Sequence, residues 1–175
     1  MMKSANQLID IVKDVTIRES KQEDIEAILR IYNQGIEDRI ATLETVLKDT
    51  EYMREWYKMH QDRYQVIVAE NKEQVVGWAS LNIYNSRCAY DGVADLSIYI
   101  ERESRGKGMG GKLIDKIEVI ARRNNFHKII LSTFHFNQLG QTLYRKKGYR
   151  EVGIFRNQGI LDGQFVDVMA MEKLL

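Results

Sequence analysis

The 175-residue chain is long enough for one domain with a real core, and 26 basic against 25 acidic residues leave no global charge with which to grip a nucleic acid. A single cysteine, Cys88, excludes a disulfide framework and a four-cysteine metal site, and fits a reduced, cytoplasmic setting. No apolar run approaches membrane-spanning length, and the first fifteen residues lack the long apolar core of a signal peptide.

Residues 1–14 read as an extension, with Leu8, Ile9, Ile11 and Val12 spaced for a short amphipathic helix; one domain is expected over 15–175. Val15–Glu19 reads as a strand, and Ser20 with Glu23 as a capping box. The helix it opens carries Ile25, Ile28, Leu29, Tyr32 and Ile36 on one face. A loop over 37–48 precedes a second helix, with Thr50 as its cap and Tyr52, Trp56 and Met59 inward. Residues 65–70 and 75–84 pair as a hairpin around the turn 71–74, and a loop covers 85–92. A strand follows, alternating Leu96, Ile98 and Ile100 against Ser97, Tyr99 and Glu101, the period of a half-buried sheet. After a glycine-rich loop, a helix runs to about Asn124. Residues 128–133 read as a strand buried on both faces. Asn137 caps a short helix with Leu139 and Leu143 inward, and strands over 149–155 and 164–171 close the chain, joined by a loop holding Gly159 and Gly163. That order describes a mixed α/β (α+β) sandwich of seven strands and four helices, without the repeated βαβ units of a dinucleotide-binding array.

The segment after the Leu96–Ile100 strand carries the chemistry. Gly106, Gly108, Gly110 and Gly111 fall within six residues, interleaved with Arg105, Lys107 and Lys112, and Met109, Leu113 and Ile117 follow at helical spacing. A strand, a glycine loop and a helix start form an anion site, most naturally for phosphate. Read from Gly106, the segment approaches GxxxxGK[ST], but Leu113 stands where a hydroxyl must hold magnesium. Read from Arg105 it is R-x-x-G-x-G, and here it resembles the acetyl-CoA pyrophosphate loop of the GNAT acetyltransferases.

The resemblance extends over residues 15–175, and within the superfamily it is to the phosphinothricin and arsinothricin acetyltransferases. It is carried by Ile31 through Thr45, by Gln61-Asp-Arg-Tyr64, by Arg87-Cys-Ala-Tyr90, and by Asn137 through Tyr149 continuing to Gly163 through Val168. Leu43, Ile160 and Val166 depart from it, standing where that branch has an aromatic residue, a tyrosine and a histidine. It implies the GNAT fold, a mostly antiparallel mixed sheet with a V-shaped CoA cleft between its fourth and fifth strands. It implies acetyl-CoA as donor, no metal, a small-molecule amine as acceptor, no nucleic-acid or membrane partner, and a homodimer. The acceptor would be a small amino acid or an analogue of the phosphinothricin, methionine sulfoximine or sulfone, or arsinothricin type, acetylated by direct transfer in a ternary complex. The alternatives are a peptide, polyamine or other amine, or a non-catalytic acyl-CoA-binding module.

Such a transfer needs a deprotonated amine, a polarised thioester and a proton for the departing thiolate. The resemblance places Asp95 where the phosphinothricin enzymes have a glutamate base; the other reading is a hydrogen-bonded carboxylate at the start of a strand. Tyr144 is the candidate acid, or else a packing tyrosine. The donor would lie on Leu96, Ile98, Ile100, Arg105, Gly106, Lys107, Gly108, Met109, Gly110, Gly111, Lys112, Asn137 and Tyr144, with a backbone N–H of the Leu96–Ile100 strand meeting the oxyanion. Arg87 and Tyr90 are candidates for an anionic group on the acceptor, and Glu44 for its ammonium. His60, His127 and His135 are scattered, without metal-ligand spacing.

Overall fold

The computed structural model describes residues 14–60 and 62–175, so the amphipathic pattern at Leu8–Val12 lies outside the described residues. Seven strands, β1 (Val15–Glu19), β2 (Val66–Asn71), β3 (Gln74–Ile83), β4 (Val93–Ile100), β5 (Lys128–Phe134), β6 (Arg150–Leu161) and β7 (Gln164–Leu174), form one sheet in the order β1-β2-β3-β4-β5-β7-β6. Four helices accompany it: α1 (Ile25–Glu37), α2 (Thr50–Lys58), α3 (Met109–Arg123) and α4 (Gln138–Lys146). All pairings are antiparallel except β4 with β5.

The helices cover both faces of the sheet. On one, α3 buries Leu113, Ile114 and Ile117 completely against Leu81, Leu96, Ile129 and Met171. Each such side chain contributes on the order of 1.5–3 kcal/mol. On the other, Ile28 and Ile31 of α1 and Met53 of α2 pack on Val66, Val68 and Trp78. Trp78 stacks on Tyr99 at 4.7 Å, and Tyr32 meets Tyr99 edge-on at 5.0 Å. The Ser97–Tyr99 face of β4 is therefore covered as well, where alternation alone predicts solvent.

Several local expectations shift. The cap before α1 sits one residue later than predicted and only half of the box forms: the Lys21 N–H donates to the Asp24 carboxylate at 2.7 Å, while Ser20 Oγ donates to the Val66 carbonyl. Asp49, not Thr50, caps α2, accepting from the Tyr52 N–H at 2.8 Å. Met53 points inward there while Met59 is exposed, because α2 ends at Lys58. Strand β5 alternates instead of being buried on both faces: Ile129, Leu131 and Thr133 are inward and Ser132 outward. In α4 the inward residues are Gln141 and Tyr144, while Leu139 is exposed. Strand β6 runs through Gly159, and the hairpin turns at Asp162 and Gly163, whose φ angles of 48° and 79° suit a two-residue turn.

Candidate active site

The site begins where the sheet splits. Strand β4 pairs with β3 along its whole length, from Ala94 opposite Ile83 to Ile100 opposite Gly77. It pairs with β5 only from Val93 to Asp95, after which β5 continues with β7 alone. From Leu96 onward the β5-facing edge of β4 therefore has no strand beside it. Backbone donors and acceptors along such an edge require a partner.

A cleft of ≈ 330 Å³ opens beside that edge, walled by Ile98–Ile100, by the glycine loop and by the start of α4. The loop turns at Gly106 and Gly108, with φ of 72° and 81°, angles that side-chain-bearing residues adopt only under strain. Gly108 is the N-cap of α3, no side chain caps the helix there, and no acidic residue occupies its first turn. The first N–H groups of α3 are thus open to an anion. Gly110 matters for packing instead, because a Cβ there would fall 2.7 Å from Leu143 Cδ2; its bare backbone lets α3 approach α4. Arg105 is turned to structure, its Nε donating to the Ile100 carbonyl at 3.1 Å and its Nη1 paired with Asp38 at 2.5 Å. Met109, Gly111 and Asn137 line the cleft. Asn137 also caps α4, accepting from the Gly140 N–H at 3.0 Å, and donates to the Ile40 carbonyl. Lys107 donates to the Glu103 carbonyl, and neither Lys107 nor Lys112 is part of the cleft wall. Among the basic residues at the end of α4, Lys147 pairs with Asp115 while Lys146 lines the cleft.

Next to it along β4 lies a second cavity of ≈ 260 Å³, lined by Ala41, Thr42, Leu43, Asp95, Leu96, Ser97, Ser132, Thr133, Phe134 and Val168. Among the described residues, Asp95 is the one charged group on its wall. Burial pushes the Asp95 carboxyl up to about 6, and a hydrogen bond from the Asn82 amide pulls it part of the way back. A carboxyl titrating there is half-poised to accept a proton near neutral pH. Tyr144, buried in the cleft, has its phenol raised above the ordinary tyrosine value by burial first and the Asp95 charge second, so it holds its proton. Asp95 thus stands at the last β4–β5 pair, on the wall of the second cavity, and Tyr144 lines the neighbouring cleft.

The three acceptor-site candidates lie elsewhere. Glu44 is paired with Lys48 at 2.6 Å. Arg87 and Tyr90 sit at the exposed turn Cys88–Tyr90, with Tyr90 packed on Tyr84 at 5.4 Å. None of them lines the cavity beside Asp95. The residues that do were missed in the sequence: Thr42, Ser97, Ser132 and Thr133 are small and polar, and only the folded register brings them together.

The model of the Acetyltransferase (GNAT) family matches residues 26–149, which hold both the glycine loop and Asp95. This chain belongs to that family. YwnH of Bacillus subtilis is 31% identical over 92% of this chain and 99% of its own length. The L-methionine sulfoximine/L-methionine sulfone acetyltransferase of Salmonella typhimurium is 27% identical over 90% of this chain and 93% of its own. The solved structure of yncA from Salmonella typhimurium with its cofactor acetyl-CoA superposes with a TM-score of 0.89 at 27% identity, covering 93% of this chain and 94% of that one. The GNAT fold, with its parallel β4–β5 pair, and the N-acetyltransferase class are thus those of this chain.

Proposed function

We infer that the protein transfers the acetyl group of acetyl-CoA to the amine of a small amino acid or a close analogue, the methionine sulfoximine, methionine sulfone, phosphinothricin and arsinothricin type included. The observation that carries this reading is Asp95 at the last β4–β5 pair, beside the cleft that Tyr144 lines. The fit to the donor rests on three features of the cleft. They are an unpaired strand edge for the amide-rich arm, an uncapped helix start for the pyrophosphate, and a glycine loop without bulk between them.

When bound, acetyl-CoA supplies an acyl group activated by a thiolate leaving group. The chain's own residues handle the protons. Asp95 accepts one from the incoming ammonium, directly or through a water, so that the amine lone pair is free to attack. Tyr144 donates one toward the departing sulfur and recovers it from solvent. The amine nitrogen gains the carbon–nitrogen bond as the carbon–sulfur bond breaks and releases its second proton to solvent, which offsets the proton Tyr144 recovers, without a covalent enzyme adduct.

Purified protein is incubated with acetyl-CoA and, separately, phosphinothricin and methionine sulfoximine, and free thiol is followed. Release dependent on the amine supports the reading; no release with any amino-acid amine overturns it. The wall beside Asp95 favours one second reading, because among the described residues it holds no cationic side chain for a carboxylate. An amine without an acidic group, such as a polyamine or a peptide amine, is therefore the competing acceptor in the same assay.

A further inference from the structure

Among the described residues no cation is paired with Asp95, and the one hydrogen bond that shifts its carboxyl comes from an amide. Its nearest polar partner is Asn82, which the β3–β4 register sets directly opposite it. The Asn82 Nδ2 donates to the Asp95 backbone carbonyl at 3.1 Å, to Ser97 Oγ at 3.0 Å, and reaches Asp95 Oδ2 at 3.5 Å. The Oδ1 of the same amide accepts from Ser80 Oγ at 2.9 Å and lies 2.8 Å from His60 Nε2. His60 Nδ1 in turn lies 2.8 Å from the Trp56 carbonyl, and the ring rests on the Trp56 indole at 4.0 Å.

Donor and acceptor inventory fixes the direction of this chain. Turning the Asn82 amide over would set its oxygen against two Asp95 oxygens, so Nδ2 belongs on that side and Oδ1 faces His60 and Ser80. Both His60 nitrogens then face oxygens that accept, Nε2 the Asn82 Oδ1 and Nδ1 the Trp56 carbonyl. Ser97 Oγ accepts from Asn82, which frees its own hydrogen for the cavity it lines.

We propose that Asn82 is a positioning residue for Asp95, held by His60 and Ser80 so that its Nδ2 grips the Asp95 backbone carbonyl and Ser97 Oγ and stands 3.5 Å from the carboxylate. The proposal rests on the reading of Asp95 as the base. It adds that the base is aimed by a neutral amide anchored from the end of α2. Asn82 steadies the carboxylate in its ionised, accepting form without the full charge of an arginine, which would depress its basicity. The other titratable groups around this pair are the Tyr99 and Tyr144 phenols, both held protonated by burial, and His60 behind the Asn82 amide; among the described residues the hydrogen bond given to the Asp95 carboxylate comes from Asn82. Ser80 is completely buried, which keeps water from competing for Oδ1 on that side.

The test is the pH profile of kcat/KM for the amine in the wild type and in Asn82→Asp, Asn82→Ala, His60→Phe, His60→Gln and Asp95→Asn. An acid limb near pH 6 is expected in the wild type and lost in Asp95→Asn. Asn82→Asp and Asn82→Ala move that limb up by about one unit, a roughly tenfold loss at the acid end, with KM for acetyl-CoA unchanged. His60→Phe moves it the same way, and His60→Gln, whose amide N–H can still donate to Oδ1, restores it. A limb that stays in place in both Asn82 variants, while Asp95→Asn abolishes it, overturns the positioning role and leaves the base standing. A limb that survives in Asp95→Asn overturns both. Thermal melts of each variant separate misfolding from a shifted limb.

Discussion

Asp95 sits where burial works against its charge. Its carboxyl titrates at about 6 in the folded protein against roughly 3.9 in an unfolded chain, so the native state binds the proton more tightly. The favourable contribution is fully present below the unfolded value and is lost as pH rises through 6. Above that, the ionised group burdens the fold. Asp95→Asn is therefore expected to stabilise the protein at pH 7.5 by on the order of 2–3 kcal/mol and to change little at pH 4, while abolishing turnover. Urea unfolding at the two pH values measures it, and an equal effect at both refutes the assignment. Gly159 is a second informative position. A Cβ there would fall on the end of the Leu43 side chain, which also lines the Asp95 cavity. Leu43 is the residue that must give way. Gly159→Ala should leave the fold intact and change KM for the amine several-fold while KM for acetyl-CoA stays constant; steady-state kinetics with each substrate varied decides.

At the scale of elements, the β2–β3 hairpin turns at Lys72 and Glu73, with φ of 48° and 63°. Two side-chain-bearing residues occupy a turn that favours Asn-Gly, at a cost of about 1–2 kcal/mol each for the left-handed conformation. Lys72→Asn with Glu73→Gly should raise stability by about 1 kcal/mol without touching activity, read as a higher melting temperature at unchanged kcat. The turn's location was legible in the sequence because polar residues interrupt two apolar runs. So were the seven strands and four helices, whose hydrophobic periods differ, and the glycine loop, whose spacing is set by backbone needs. Register was not legible. The pairing of Asn82 with Asp95 and of Ser80 with Ser97 decides the electrostatics of the site, yet nothing local to either strand specifies it. Nor did alternation in β4 reveal that Tyr99 is covered, since Trp78 and Tyr32 that cover it come from β3 and α1. The same limit applies at the cavity beside Asp95. A motif such as Arg87 through Tyr90 has a recognisable spelling, whereas Thr42, Ser97 and Thr133 acquire a role only by meeting.

The whole molecule sets its two openings side by side along β4, and the segment after α1 reaches both. The segment after α1 supplies Ala41 to both cavities and Thr42 and Leu43 to the one beside Asp95. Its C-cap, Asp38, binds Arg102 at 2.6 Å and Arg105 at 2.5 Å, anchoring the glycine loop to the same helix end. The Arg102 hydrogen bond leads in holding the Asp38 carboxyl below its ordinary range, against an opposing burial effect and with Arg105 reinforcing it. Asp38 thus ties the glycine loop to the end of α1, from which the chain runs on to the wall of the Asp95 cavity. Removing it leaves Arg105, half-buried against the Ile100 carbonyl, without its carboxylate partner. Asp38→Ala is accordingly expected to weaken acetyl-CoA binding by about 1–2 kcal/mol, a roughly five- to thirtyfold rise in its dissociation constant. The acid limb set by Asp95 should not move, because no Asp38 contact reaches that carboxylate. Asp38→Asn, which keeps one acceptor oxygen, should lie between. Calorimetric titration with CoA together with the pH profile checks both halves. Unchanged CoA affinity in Asp38→Ala would mean that the loop holds its shape from its own glycine geometry, with the ion pairs as surface ornament only.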